Sequence, residues 1–162
     1  MTDIERRLAA VERRLQQLED ERDVARVIAA YGPLADSGLA ESVAALWEPA
    51  GVYDVDELFM AGQEQIGAMV RSPQHQRWIQ GGCAHIAGPP HVTVNGDEAQ
   101  AVGYSLMVVH RDGQFLVRRA TANHWRLRRS ERGWRVTVRT SRVLDGRSGS
   151  PELLRLIEGS HT

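Results

Sequence analysis

Tyr31 and Asp36 close a helical segment, and His85 and His110 lie on two later segments with strand character. A phenol, a carboxylate and imidazoles on separate elements are what proton-transfer catalysis needs. Imidazole titrates near neutral pH, and a carboxylate orients it and stabilises its charged form. Each residue also has an ordinary reading: Asp36 caps the Ser37-Gly38 turn, Tyr31 is core, His85 is a structural strand residue, and His110 is solvated before Asp112-Gly113. The choice between these readings depends on whether the fold brings the four together.

The 162 residues suffice for one domain with a proper core. A hydrophobic content of 42%, six prolines and no low-complexity tract exclude a disordered chain. No stretch has the roughly 20 apolar residues of a membrane span. Residues 1–14 are charged and lack the apolar centre of a secretory signal, so a cytoplasmic location is expected. The single cysteine, Cys83, excludes an intramolecular disulfide and a thiol-rich metal site. All 20 basic residues are arginine, and the net charge of −1 exerts no overall pull on nucleic acid.

Ile4, Leu8, Val11, Leu15 and Leu18 alternate spacings of four and three, a short heptad seam flanked by Glu and Arg. It suits either packing within the domain or contact between copies. The apolar set then shifts to Val24, Val27, Ile28, Tyr31 and Leu34, which reads as two helical pieces changing direction near Asp20 and ending at residues 36–38. A short helix carrying Val43, Ala44, Leu46 and Trp47 follows, stopped by Pro49 and Gly51. A strand through Val52, Tyr53 and Val55 comes next, and a helix over 63–71 that Ser72 and Pro73 end. From residue 84 onward the pattern is strand, with turns at Asn95-Gly96, Asp112-Gly113 and Arg132-Gly133. Helices first and a curved antiparallel sheet afterwards predict an α+β fold. Residues 1–20 read as a helical extension, 21–146 as the domain, and 147–162 as a tail with a short helix.

Period-two alternation puts Phe115, Val117, Thr121, Asn123, Trp125 and Leu127 on one face. Trp134, Val136, Val138, Thr140 and Arg142 share a face of the last strand, and Val102, Tyr104, Leu106 and Val108 lead to His110. Three strands thus carry polar groups on an otherwise apolar face, the pattern of a lined cavity.

Tyr31-Gly-Pro-Leu-Ala-Asp36, Leu46-Trp47-Glu-Pro, Gly62, His85-Ile-Ala-Gly, Gly96-Asp97-Glu-Ala99 and Gly133-Trp134 together resemble the SnoaL-like branch of the nuclear transport factor 2-like superfamily, over roughly residues 15–146. The resemblance implies a cone-shaped α+β barrel, with N-terminal helices packed on a strongly curved, mostly antiparallel sheet around a pocket. Nearest within the branch are scytalone dehydratase and bile acid 7α-dehydratase, with a dehydrochlorinase, trimeric lyases using an aspartate and histidine pair. Asp36 and His85 fall where that pair falls, and Tyr31 matches a helix tyrosine. His110 is similar to a second catalytic histidine, Tyr53 to a pocket tyrosine, Thr121 to a pocket serine, Asn123 to a pocket asparagine, and Arg142 to an arginine on the last strand.

The resemblance therefore implies cofactor-independent dehydration of a β-hydroxycarbonyl compound by a homo-oligomer, a trimer or else a dimer. Tyr31, Asp36, His85 and His110 would be catalytic, with Tyr53, Thr121, Asn123 and Arg142 binding substrate. Isomerisation or polyketide cyclisation would use the same groups. A thiol nucleophile at Cys83, a zinc site and nucleic-acid binding through the arginine-rich strands are weaker readings. The rival class is a binding or assembly module whose pocket does no chemistry, as when Trp47, Trp78 and Met60 fill it.

Overall fold

The computed structural model describes residues 1–161. Its first helix, α1, runs unbroken over Asp3–Asp36, where the sequence predicts two pieces. A capping box starts it: the Thr2 hydroxyl accepts from the Glu5 N–H at 3.2 Å, and the Glu5 carboxylate accepts from the Thr2 N–H at 2.6 Å. The environment changes at Asp20, not the helix. Ile4, Leu8, Val11, Leu15 and Leu18 are all more than half exposed, whereas Asp20, Val24, Ile28, Tyr31, Gly32 and Ala35 are buried. The shift in the apolar stripe marks where one helix reaches the domain body. Arg129 fastens that point, donating to the two Asp20 carboxylate oxygens at 2.8 and 2.7 Å while its guanidinium covers the Trp134 ring.

The chain continues through α2 (Ala40–Ala44), β1 (Trp47–Val55), β2 (Leu58–Ala61), α3 (Gly62–Arg71), α4 (Pro73–Gly81), β3 (Cys83–Ala87) and β4 (His91–Asn95). Three long strands, β5 (Glu98–Arg111), β6 (Gln114–Ser130) and β7 (Gly133–Val143), precede α5 (Gly149–Arg155) and a 3₁₀ turn, Glu158–His161. The sequence does not predict helix α4, because Ser72-Pro73 reads as the stop of α3. The same two residues also start α4: the Ser72 hydroxyl accepts from the His75 N–H at 3.2 Å, and Pro73 takes the first helical position. Trp47 belongs to β1, not to α2.

The architecture is α+β, with helices against a curved sheet of order β2-β1-β7-β6-β5-β3, β4 pairing with the first half of β5. The β1–β7 pair is parallel and the others are antiparallel. The sheet is not closed: β2 is one edge, and β3 with β4 along β5 make the other. Trp47, Trp125, Leu127, Trp134 and Val136 form the core with the buried face of α1.

Two bulges decide which side chains face inward. The β5–β6 register shifts between Met107 and Val108, leaving Arg118 as an extra residue, and the β6–β7 register shifts between Arg126 and Leu127, leaving Thr137 extra. One extra residue reverses the face of everything beyond it. Phe115 and Val117 therefore point outward and are exposed, while Thr121, Asn123 and Trp125 stay inside. On β7, Trp134 and Val136 are buried, but beyond Thr137 the inward residues are Arg139 and Ser141, not Thr140 and Arg142.

Helix α1 lies so close to β3 that a Cβ on Gly32 would sit 1.9 Å from the His85 carbonyl oxygen. Helix and strand backbone would have to separate, so Gly32→Ala is expected to destabilise the fold by about 1–3 kcal/mol or more. It should also displace His85 from Asp36, at the end of the same helix. Denaturant unfolding checks the first effect; wild-type stability for this variant would refute the close approach.

Candidate active site

Between α1, α3, α4 and the inner face of the sheet lies a cavity of about 850 Å³. Its size suits a small organic ligand. Ile28, Met60, Met69, Trp78 and Met107 supply apolar wall, and Tyr31, Tyr53, His75, His85, Thr121 and Arg139 supply polar groups. Trp78 and Met60 line this space without filling it, and Trp47 packs in the core beneath.

Asp36 is the last residue of α1 and His85 is central in β3. The Asp36 carboxylate receives three donors. The His85 N–H reaches Oδ2 at 2.7 Å, His85 Nδ1 lies 2.6 Å from Oδ1, and the Cys83 thiol reaches Oδ1 at 3.3 Å. Burial pushes the Asp36 carboxyl up, but the hydrogen bonds from the His85 ring, the His85 backbone and Cys83 outweigh it and hold the group below its ordinary value. Asp36 is therefore an anion at neutral pH. As the acceptor of Nδ1–H it fixes the tautomer and leaves Nε2 of His85 free to act as a base.

Asp36, Cys83 and His85 are also a carboxylate, a thiol and an imidazole whose polar atoms lie within 4.8 Å of one another, the ligand types of a metal site. Burial, with Asp36 adding to it, pushes the Cys83 thiol up to about 12. That favours a protonated hydrogen-bond donor over a thiolate ligand or nucleophile.

His75, not singled out by the sequence, stacks on the His85 ring at 5.6 Å with the planes 12° apart. Its Nε2 lies 3.1 Å from the Ala35 carbonyl oxygen, so Nε2 carries the proton. Burial lowers its pKa from the ordinary 6.5, and His124 is lowered for the same first reason. The unfolded chain thus takes up protons before the folded one. The stability these histidines contribute is full above 6.5 and is lost as pH falls through that value toward their folded-state values. A Tm series run downward from neutral pH should fall through this window, and His75→Gln, which keeps a donor for Ala35, should flatten the slope.

Arg139 is the second group the sequence missed. It is 4% exposed, and its guanidinium lies over the rings of Tyr31, Tyr53 and Trp125 at 4.4, 4.5 and 4.1 Å. Nε and Nη2 donate to Asn123 Oδ1 at 3.2 and 2.9 Å, while Nη1 is buried with no hydrogen-bond partner among the described residues. Among the described residues no carboxylate pairs with it. A buried cation behind a cavity wall, covered by aromatic rings and without a carboxylate, favours negative charge on a ligand held in front of it. Burial, then the Tyr53 phenol, raise the pKa of Tyr31 against the pull of Arg139, so its hydroxyl remains a proton donor.

Tyr31, Tyr53, Thr121 and His85 all line the cavity, with Asp36 behind His85. Asn123 was expected to touch substrate. It is instead a 2%-exposed hub beneath the wall, accepting from Arg139 and Ser141 through Oδ1 and donating to Ser105 Oγ at 2.9 Å through Nδ2. Two expected residues lie elsewhere. His110 falls on the opposite face of β5 from Ser105 and Met107, is exposed, and packs its ring 5.2 Å from Phe115. Arg142 is turned away by the Thr137 bulge and donates to the two Asp54 carboxylate oxygens at 3.1 and 2.7 Å. No sequence signal marked Arg139, since period-two counting from Trp134 assigns it outward.

The description "SnoaL-like domain" fits residues 16–140. A solved nuclear transport factor 2-like protein with a cystatin-like fold from Novosphingobium aromaticivorans is 39% identical, with 91% of this chain and 96% of that chain covered and a TM-score of 0.89. A protein of unknown function from Mycobacterium tuberculosis shares the fold at 14% identity, with 99% and 90% covered and a TM-score of 0.71. So does a Catenulispora acidiphila protein in complex with S-DNPA, at 20% identity, 75% and 91% covered, and a TM-score of 0.66. Among curated proteins no match is found. With residues 16–140, more than half of the chain, matched and a 39% identical nuclear transport factor 2-like protein covering 91% of it, the protein belongs to the SnoaL-like domain family of the nuclear transport factor 2-like superfamily.

Proposed function

We propose that the protein is a cofactor-independent lyase that dehydrates a β-hydroxycarbonyl compound by acid–base chemistry. The observation that carries this reading is the 2.6 Å contact of His85 Nδ1 with Asp36 Oδ1 at the wall of the cavity. Asp36 holds the ring with its proton on Nδ1, and Nε2 removes the proton next to the substrate carbonyl. The electron pair moves onto the carbonyl oxygen, where the Tyr31 hydroxyl meets the developing charge and the positive charge of Arg139 behind it stabilises it. Collapse of the enolate forms the carbon–carbon double bond and expels the β-hydroxyl, which takes the proton back from Nε2 and leaves as water. One base serving both steps gives syn elimination. The apolar lining suits a polyketide-, steroid- or aromatic-like skeleton.

Isomerisation follows if the proton returns to another carbon, and cyclisation if an internal electrophile captures the enolate. Incubation with a panel of apolar β-hydroxyketones in deuterated water separates these outcomes by NMR. Appearance of an enone supports dehydration, and deuterium at the α-carbon without an enone supports isomerase or cyclase chemistry. Binding with neither change refutes acid–base catalysis and leaves a ligand-binding pocket.

A further inference from the structure

The first four turns of α1 pack against nothing else in their own chain among the described residues. Residues 3–18 are exposed except for the half-buried Ala9, and Ile4, Leu8, Val11, Leu15 and Leu18 form one uncovered seam. At 3.6 residues per turn the centre of this seam lies roughly 160° around the helix axis from the centre of the stripe of Asp20, Val24, Ile28, Tyr31 and Ala35 that packs on the sheet. The protein's own body therefore cannot cover it. Another helix can approach from the open side.

The charges flanking the seam identify that helix. In heptad terms Leu8 and Leu15 are a positions, and Ile4, Val11 and Leu18 are d positions. Glu5, Glu12 and Glu19 then fall at e, and Arg7 and Arg14 at g. When identical helices lie parallel and in register, each g faces the e of the partner's following heptad. Arg7 then meets Glu12 of the neighbouring copy, and Arg14 meets its Glu19, in both directions. Antiparallel helices would instead set g against g and e against e, arginine on arginine and glutamate on glutamate. Among the described residues Arg7, Glu12, Arg14 and Glu19 make no ion pair within their own chain. A narrow seam flanked by both signs of charge also differs from the broad apolar and basic faces of a membrane-surface helix.

We propose that residues 4–18 bind the same segment of other copies of this chain as a parallel, in-register coiled coil. Leucine at a with Ile4 at d leans toward three or more strands while Leu18 at d leans toward two, so the pattern sets orientation and register rather than the number of strands. The capped, continuous helix preorganises the segment, so a seam too short to fold alone needs only to dock.

The test uses the full chain carrying Leu15→Cys, with the wild type, whose one thiol is Cys83, as control. Parallel in-register helices bring Leu15 against its own counterpart, so mild oxidation should give a self-disulfide that the wild type does not form. Adding Arg7→Glu and Arg14→Glu should abolish that cross-link, and mixing this chain with a Leu15→Cys chain carrying Glu12→Arg and Glu19→Arg should restore it between unlike chains. No cross-link beyond the wild-type level, or one indifferent to the charge changes, overturns the proposal. The altered residues are exposed on a projecting helix apart from the half-buried Glu19, and unchanged far-ultraviolet circular dichroism excludes misfolding as the cause of a negative result.

Discussion

His85→Gln is expected to lower kcat for dehydration by about 10²–10⁴-fold, the usual contribution of a positioned general base, with little change in substrate affinity. Glutamine keeps the backbone N–H that donates to Asp36 Oδ2 at 2.7 Å, so α1 and β3 stay joined while the basic nitrogen is lost. Asp36→Asn should be nearly as damaging for a different reason. Asp36 accepts from the His85 N–H, the His85 ring and the Cys83 thiol, whereas an asparagine amide turns one of its two sides into a donor. A donor facing Nδ1 forces the proton onto Nε2 and removes the base, the kind of tautomer error that costs about 10⁴-fold in a serine protease triad. Nitrogen-15 NMR reads the tautomer directly: wild-type His85 should carry its proton on Nδ1, and Asp36→Asn should shift it to Nε2. Full activity in either variant, or a wild-type ring protonated on Nε2 alone, would remove the pair from the mechanism.

Arg139→Met is expected to separate stability from function. The guanidinium is 4% exposed without a carboxylate partner, held by three aromatic rings and one amide oxygen. Methionine fills similar volume without a desolvated charge, and Asn123 Oδ1 keeps the Ser141 hydroxyl at 2.5 Å. Removing the charge offsets the loss of cation–π contacts worth about 0.5–2 kcal/mol each, so Tm should be unchanged or modestly higher. Turnover should fall by up to about 10²–10³-fold, as the positive charge that stabilises the developing oxyanion is lost. Binding of a carboxylate- or phenolate-bearing ligand should weaken with it, and Arg139→Lys should recover part of both. A clear loss of Tm with kcat intact would make Arg139 a structural residue.

The sites missed in the sequence have more than one origin. His75 was hidden because Ser72-Pro73 reads as the end of a helix, and nothing local says that the same pair starts the next. Arg139 and Arg142 exchanged places, and Phe115 and Val117 moved outward, because Thr137 and Arg118 are extra residues in their ladders. A bulge is defined by the partner strand, and a count along one strand passes straight through it. His110 was assigned inward by the same counting, from Tyr104 and Val108, which also lie on the outer side of β5.

What the sequence determined by itself is what local physics controls. The apolar spacing and capping residues of α1, the Asn-Gly and Asp-Gly hairpins and the alternating strands are signals carried within a few residues, and they suffice for an α+β fold. The motif around Tyr31, Asp36 and His85 was legible because helix α1 and strand β3 each present those residues without an intervening bulge. Only the tertiary structure decided that Gly32 lets helix and strand touch, that Asp36 gathers three donors, and that Arg139 is buried behind the cavity wall without a carboxylate among the described residues. Those facts depend on pairing between residues as far apart as Asp36 and His85, or Asn123 and Arg139. The face a side chain shows is set by its neighbours across the sheet, and those neighbours exist only once the chain has folded.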